Sequence, residues 1–278
     1  MKLGLDSYSY HLAFGAHPDF CPRQKMTLTG FIDRVAELGL DGFQIDPMHL
    51  PHRDDFFLRS IRRQAERHNL FIEYGAMSLQ PEQLADDLVV CAQLGSPVLR
   101  TFAGFDRYGK GTVIADEMRK AVQYLDLIKS KAEAAGIRIA VENHGDFSAD
   151  ELVRVVQAVD SPWVGICLDL GNAMLTFEDP IQACRKMAPF AMTTHLKDHG
   201  VTLTNSGCVV YGTALGDGVI DLHAALDLLR STTRLERIIL EIPCQAETDE
   251  SACLEKEDDM IRRSIAYARD VLYIVETG

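Results

Sequence analysis

Four apolar runs in the second half of the chain each stop on an ionisable residue, and no other feature restricts the fold so tightly. They are Ile137 to Glu142 (IRIAVE), Val164 to Asp169 (VGICLD), Ala191 to His195 (AMTTH) and Arg237 to Glu241 (RIILE). Short apolar runs of this kind read as buried strands. Taken singly, each terminal residue would be an ordinary polar side chain at a strand mouth. Four in sequential order predict side chains converging from neighbouring strand ends, and three carboxylates with one imidazole suit a divalent cation. Glu142, Asp169, His195 and Glu241 are therefore the candidate metal ligands. Six-coordination of one divalent metal is expected, Mn²⁺ first, with Mg²⁺, Co²⁺ and Zn²⁺ also compatible.

The rest of the chain supplies a frame for those strands. Eight strand-then-helix units can be counted, the first strand over Leu3 to Ser9. Phe31, Val35 and Leu38 then recur at helical spacing until Gly39. Further helices are read over Asp54 to Asn69, Ile114 to Ala135, Pro180 to Met187, Leu222 to Leu229 and Glu257 to Leu272. Pro81 opens a helix that Gly95 closes, Gly136 is expected as a left-handed cap, and Ser148 with Glu151 makes a capping box. Successive ligand candidates are separated by 27, 26 and then 46 residues, so an insertion follows His195. Val201 to Tyr211, with Asn205-Ser206-Gly207 at its tip, reads as a hairpin. The alternation predicts an α/β fold, a single (β/α)8 TIM barrel over residues 1–278 with a hairpin insertion near 199–213. In such barrels the chemistry sits at the C-terminal ends of the strands, where the four candidates fall.

Composition narrows the function classes. A net charge of −13 argues against a nucleic-acid partner, which needs a clustered basic face, and gives no attraction to anionic lipid. The opening MKLGLDSYSYHLAF places Asp6 where a signal peptide needs an apolar run, and no stretch approaches the ~20 apolar residues of a membrane span. A cytoplasmic location is expected. The seven cysteines are odd in number, widely spaced and without a CxxC pair, which argues against a disulfide framework or a thiolate zinc site. Cys167 shares strand parity with Asp169 and is expected one layer below the metal.

The ordered motifs ENHGD (142–146), DLGN (169–172), THLKD (194–198), GDGVID (216–221) and LEIP (240–243) resemble those of the xylose isomerase-like barrel superfamily. Within it they resemble in particular the sugar-phosphate isomerase/epimerase proteins related to ketose 3-epimerases and hydroxypyruvate isomerases. The motifs cover the second half of the chain; the first half matches in layout. The resemblance implies a metal site of Glu142, Asp169, His195 and Glu241, with the two glutamates also flanking the substrate as acid and base. Two positions depart from the pattern. Asn172 stands where the ketose epimerases carry a histidine, and asparagine orients a hydroxyl but does not shuttle a proton. His144 shares parity with Glu142, and an imidazole beside the site titrates near neutrality, as a general acid/base should.

The leading expectation is a metal-dependent isomerase or epimerase of a small keto sugar or sugar acid, working by proton transfer through a metal-stabilised enediolate. Glu142, Glu241 and His144 are the catalytic candidates, and Lys197, Asn172 and Arg100 the substrate contacts. The alternative is a lyase or decarboxylase acting on a 3-keto sugar acid, with His144 as acid/base. An abasic-site nuclease is opposed by Asn172 and by the acidic charge, and a non-catalytic sugar sensor by the retention of four ligands. Lys197 could instead pair with Asp198 or Glu241, and Asp46, Glu73 and Arg100 could form a ring of ion pairs. Gly216 and Gly218 allow a tight turn before a helix headed by Asp221, and inward N–H groups there could hold a phosphate. A homodimer through the hairpin and the last helix completes the expectations.

Overall fold

Among the described residues each α-helix but the last returns the chain to the start of a parallel strand, and the strands close on themselves. The computed structural model describes residues 1–247 and 249–274. The barrel strands are β1 (Lys2–Asp6), β2 (Gly42–Ile45), β3 (Phe71–Gly75), β4 (Val98–Thr101), β5 (Arg138–Glu142), β6 (Val164–Asp169), β7 (Ala191–Leu196) and β10 (Arg237–Leu240). Their order round the barrel is β1-β10-β7-β6-β5-β4-β3-β2, with β1 paired to both β2 and β10. β8 (Asp198–Thr204) and β9 (Gly207–Thr213) form a separate antiparallel hairpin, which accounts for the long interval after His195. The helices are α1 (Leu28–Glu37), α2 (Asp55–Arg67), α3 (Pro81–Leu94), α4 (Ile114–Ala135), α5 (Ala149–Val159), α6 (Pro180–Met187), α7 (Leu222–Thr232) and α8 (Glu250–Asp270). Among the described residues no helix is long and apolar enough to cross a membrane.

Local chemistry sets most of the boundaries. Pro81 occupies the first turn of α3, Gly95 ends it at φ 77°, and Gly136 ends α4 at φ 66°. The Ser148–Glu151 capping box is formed, with Ser148 N donating to Glu151 Oε2 at 2.8 Å. β1 is shorter than the sequence suggests because the Asp6 side chain accepts from Tyr8 N at 2.7 Å and starts a 3-10 turn over Ser7–Tyr10. α8 begins at Glu250 rather than Glu257 because Asp249 caps it, accepting from Ala252 N at 2.8 Å.

The core lies between the barrel wall and the helices. Leu152, Val155, Val156 and Val159 line the inner face of α5, and outward residues such as Leu3, Leu5, Ile139 and Ile166 are equally buried. Each such aliphatic side chain contributes ~1.5–3 kcal/mol on full burial. Inside the barrel Phe71 plugs the N-terminal end. Gly4 and Gly42 leave room for its ring, since a Cβ on either would collide with it. The Arg237 guanidinium lies over that ring at 4.5 Å. The opposite end, where the strands finish, carries the site.

Candidate metal centre and cleft

Strand register delivers the four ligand candidates to one level. Asp169 is paired with His195 across β6 and β7, and Glu142 with Cys167 across β5 and β6. Glu142, Asp169, His195 and Glu241 each offer one ligand atom, all within 4.8 Å of one another. His195 Nδ1 faces Glu241 Oε2 at 2.6 Å, Glu142 Oε1 at 3.4 Å and Asp169 Oδ2 at 3.5 Å. Cys167 closes a second cluster with Glu142 and His195, which puts its thiol against the same imidazole.

The donor set fits a divalent cation on two counts. Glu142 Oε2, Asp169 Oδ2, His195 Nδ1 and Glu241 Oε2 are buried without a hydrogen-bond partner, a state that costs free energy unless something else satisfies them. Charge gives the second. Lys197 Nζ lies 2.8 Å from Asp169 Oδ2 and 3.0 Å from Glu241 Oε2, and Arg100 Nε lies 3.4 Å from Glu142 Oε2, so two cations face three carboxylates and an excess of negative charge remains. Burial works against the ionised Glu142, yet the charges of His195 and Arg100 hold it below the usual carboxylate range. Burial likewise opposes ionisation of Glu241, and Lys197 and His195 outweigh it. For Lys197 itself burial is overcome by Asp169 and Glu241, which raise its pKa.

A cleft of about 310 Å³ opens above the cluster. Tyr8, Arg100, Phe102, His144, Asn172, Lys197 and His199 line it beside Glu142 and Glu241. His144 is exposed and its ring stacks on Phe102, centroids 4.2 Å apart. The loop that presents it turns through Gly145 at φ 84°, and Asp146 then pins the neighbouring loop by accepting from Gly104 N at 2.9 Å. Asn172 does not project into open space. Its Nδ2 donates to Glu142 Oε1 at 3.0 Å and its backbone N to Asp169 Oδ1 at 2.8 Å, so it steadies two ligand candidates.

Arg100 is buried at 3 % exposure and already partnered, by Asp46 at 3.2 Å and Glu142 at 3.4 Å. It lines the cleft as part of an ion-pair ring. Glu73 turns away from the cleft into the barrel, where it accepts from Thr193 Oγ1 at 2.7 Å. Lys197 pairs with Glu241 and Asp169, and Asp198 is occupied elsewhere. Asp198 Oδ2 accepts from Gly216 N and Gly218 N, each at 3.0 Å, and its Oδ1 from His199 N at 2.9 Å and Ile220 N at 3.2 Å. This corrects the expectation of a phosphate-holding turn: the chain's own carboxylate fills that cradle. Gly218 is required there because a Cβ would collide with Asp198.

Sequence reading missed Asp6, Gln44, Thr193 and Phe102. Asp6 lies in the same floor, its Oδ2 3.5 Å from His195 Nε2, and burial pushes its carboxyl up to about 7 against the pull of Arg100. Gln44 Oε1 lies 2.8 Å from His195 Nε2. Both residues share parity with the inward positions of their strands, and a polar residue in such a place is the signal that could have found them.

The pattern of the xylose isomerase-like TIM barrel family matches residues 32–271. The chain belongs to that family. A 3-oxo-isoapionate decarboxylase from Pectobacterium atrosepticum is 28 % identical over 277 residues, covering 96 % of this chain and 94 % of that protein. Among solved structures, the D-psicose 3-epimerase of Clostridium cellulolyticum H10 with D-tagatose superposes with a TM-score of 0.76, 17 % identity and full coverage of both chains. The IOLI protein, solved with a zinc atom, gives 0.70 at 16 % identity, covering 96 % of this chain and 98 % of that one. These two likenesses are of fold.

Proposed function

We propose that this protein is a metal-dependent lyase that removes CO₂ from a short 3-keto sugar acid, with His144 returning a proton to the carbon that loses the carboxylate. Glu142, Asp169, His195 and Glu241 would hold the cation. When bound, it would supply Lewis-acid polarisation of a substrate carbonyl.

The observation that carries the reading is the one-sidedness of the cleft. An epimerase needs an acid/base group on each face of the carbon it inverts, the part that the resemblance gives to the two glutamates. Here Glu142 is engaged by Asn172 and Glu241 by Lys197. His144 stands outside the ligand set, exposed at the rim and braced by Phe102. Decarboxylation asks for a proton at one face only: the carbon–carbon bond breaks, its electron pair passes toward the carbonyl, CO₂ departs, and the imidazolium delivers its proton to carbon. Lys197 and Arg100 temper the negative floor, so that an anionic substrate can approach. The full-length likeness to a decarboxylase supports the same reading. Asn172, standing where ketose epimerases carry a histidine, also weighs for it.

A second reading, isomerisation or epimerisation of a keto sugar, is favoured by one observation, the convergence of Glu142 and Glu241 on a single point. The two readings part in D₂O. With Mn²⁺ and a panel of 3-keto sugar acids, CO₂ release with one deuterium fixed at the adjacent carbon supports the lyase. Deuterium exchange without loss of carbon sinks it. His144→Ala should lower CO₂ release by about 10²–10⁴-fold while leaving Mn²⁺ affinity unchanged.

A further inference from the structure

Beneath the ligand cluster the barrel carries a polar layer where aliphatic side chains usually fill such a core. Gln44 on β2, Glu73 on β3, Arg100 on β4 and Thr193 on β7 all point inward and all are buried. Burying a carboxyl group there costs free energy unless its oxygens are paired. The pairing is specific. Glu73 Oε2 accepts from Thr193 Oγ1 at 2.7 Å, on the opposite wall of the barrel, and from Gln44 Nε2 at 3.1 Å. Gln44 Oε1 accepts from Arg100 Nε at 3.2 Å and lies 2.8 Å from His195 Nε2.

This arrangement decides where the proton of His195 sits. An amide's oxygen and nitrogen are told apart by their partners. A guanidinium N–H only donates, so the Gln44 atom beside Arg100 is the oxygen, and the NH₂ group falls to Glu73. The oxygen must then receive His195 Nε2–H. Its other nitrogen, Nδ1, is thereby turned toward Glu142 Oε1, Asp169 Oδ2 and Glu241 Oε2. A reversed amide would offer His195 a donor and drive the proton of the neutral ring onto Nδ1, where it would point at the place a cation needs.

We propose that Gln44, held by Arg100 and Glu73, is a positioning residue that selects the His195 tautomer able to bind metal. Glu73 acts one step further out, by fixing which way the Gln44 amide lies. The inference rests on the reading of the four-residue cluster as a metal site and deepens it. It also gives the buried Glu73 carboxyl a function.

The test is Mn²⁺ binding to the intact protein, followed by electron paramagnetic resonance of the free ion. Gln44→Met keeps the volume and removes the acceptor, and affinity should fall about 10- to 100-fold. Gln44→Glu sets two carboxylates against each other and should also weaken binding. Adding Glu73→Gln to it restores an acceptor facing His195 and a donor behind it, and should bring affinity back to within about threefold of wild type. A merely structural role predicts that Mn²⁺ affinity follows melting temperature across these variants, whereas tautomer selection weakens binding in Gln44→Met beyond what its loss of stability accounts for. If Gln44→Met does not fold, the comparison of Gln44→Glu with the double variant carries the test. Wild-type affinity in Gln44→Met, or a double variant no tighter than Gln44→Glu, overturns the proposal. A wild-type protein that takes up no Mn²⁺ overturns the metal reading itself, and this inference with it.

Discussion

Asp169 and Asp198 are both buried carboxylates at the end of the barrel where the strands finish, and they are completed in opposite ways. Asp198 receives four backbone N–H groups, two on each oxygen. Asp169 receives one, from Asn172, and its Oδ2 has no hydrogen-bond partner although the Lys197 ammonium lies 2.8 Å away. Glu142, His195 and Glu241 share the condition of Asp169. A buried polar group left short of partners is costly, so a fold retains it where something outside the polypeptide completes it. The difference separates two uses of one chemical group: Asp198 ties the hairpin to the Gly216–Gly218 turn, whereas Asp169 and its neighbours form the cluster that we propose holds a cation.

The largest effect should come from the unsatisfied set. Glu142→Gln removes one ligand and its charge. Loss of Lewis-acid stabilisation worth several kcal/mol should cut turnover by on the order of 10³-fold. Mn²⁺ binding should fall with it. The metal-free variant should melt close to wild type, because Arg100 loses one carboxylate partner and keeps Asp46 and Asp6. A melting point well below wild type would break the comparison, since Glu142 would then be holding the barrel together as Asp198 does.

Asp198→Ala is the converse. It strands the N–H groups of His199, Gly216, Gly218 and Ile220, where a single unsatisfied buried donor costs about 1–3 kcal/mol. A loss of about 3 kcal/mol would lower the melting temperature by roughly 6–12 °C in a chain of this size. Calorimetry measures it, and metal stoichiometry in the protein that remains folded should not change. An unshifted melting point would show that the cradle contributes little, and the contrast would fail from the other side.

The same contrast explains what could be read from sequence. The four ligand candidates were legible because each ends an apolar run, and strand parity alone then brings them together. Pro81, Gly95, Gly136 and the Ser148–Glu151 pair were legible because their signals are local. Asp198 was not, since its partners lie up to 22 residues away and only closure of the hairpin brings them in. The expectation that Gly216 and Gly218 hold a phosphate rested on the same N–H groups without knowledge of the carboxylate that takes them. Gln44 was hidden for a related reason: it meets His195 only across 151 residues and through the interior of a closed barrel. Lys197 was recognised as reaching the site, but only the structure brings it against both Asp169 and Glu241.

Glu257 offers the subtlest test, because it stands between the two classes. Its carboxyl is buried on α8, with Oε1 accepting from Leu12 N at 2.7 Å and Oε2 from Ala13 N at 3.0 Å. Burial pushes its pKa up to about 8, and the two N–H donors oppose that rise without cancelling it. Below the ordinary value of 4.5 both folded and unfolded chains carry the proton, so the group has its full stabilising effect there. Between that value and about 8 the unfolded chain releases the proton while the folded one keeps it, so stability falls as pH rises. Above that range the contribution is flat. Glu257→Gln removes the titration, so the variant should gain on wild type steadily from about pH 5 to pH 8 in urea unfolding. A constant difference across that range would mean that the two N–H donors hold the carboxylate ionised. Glu257 would then join the satisfied class outright.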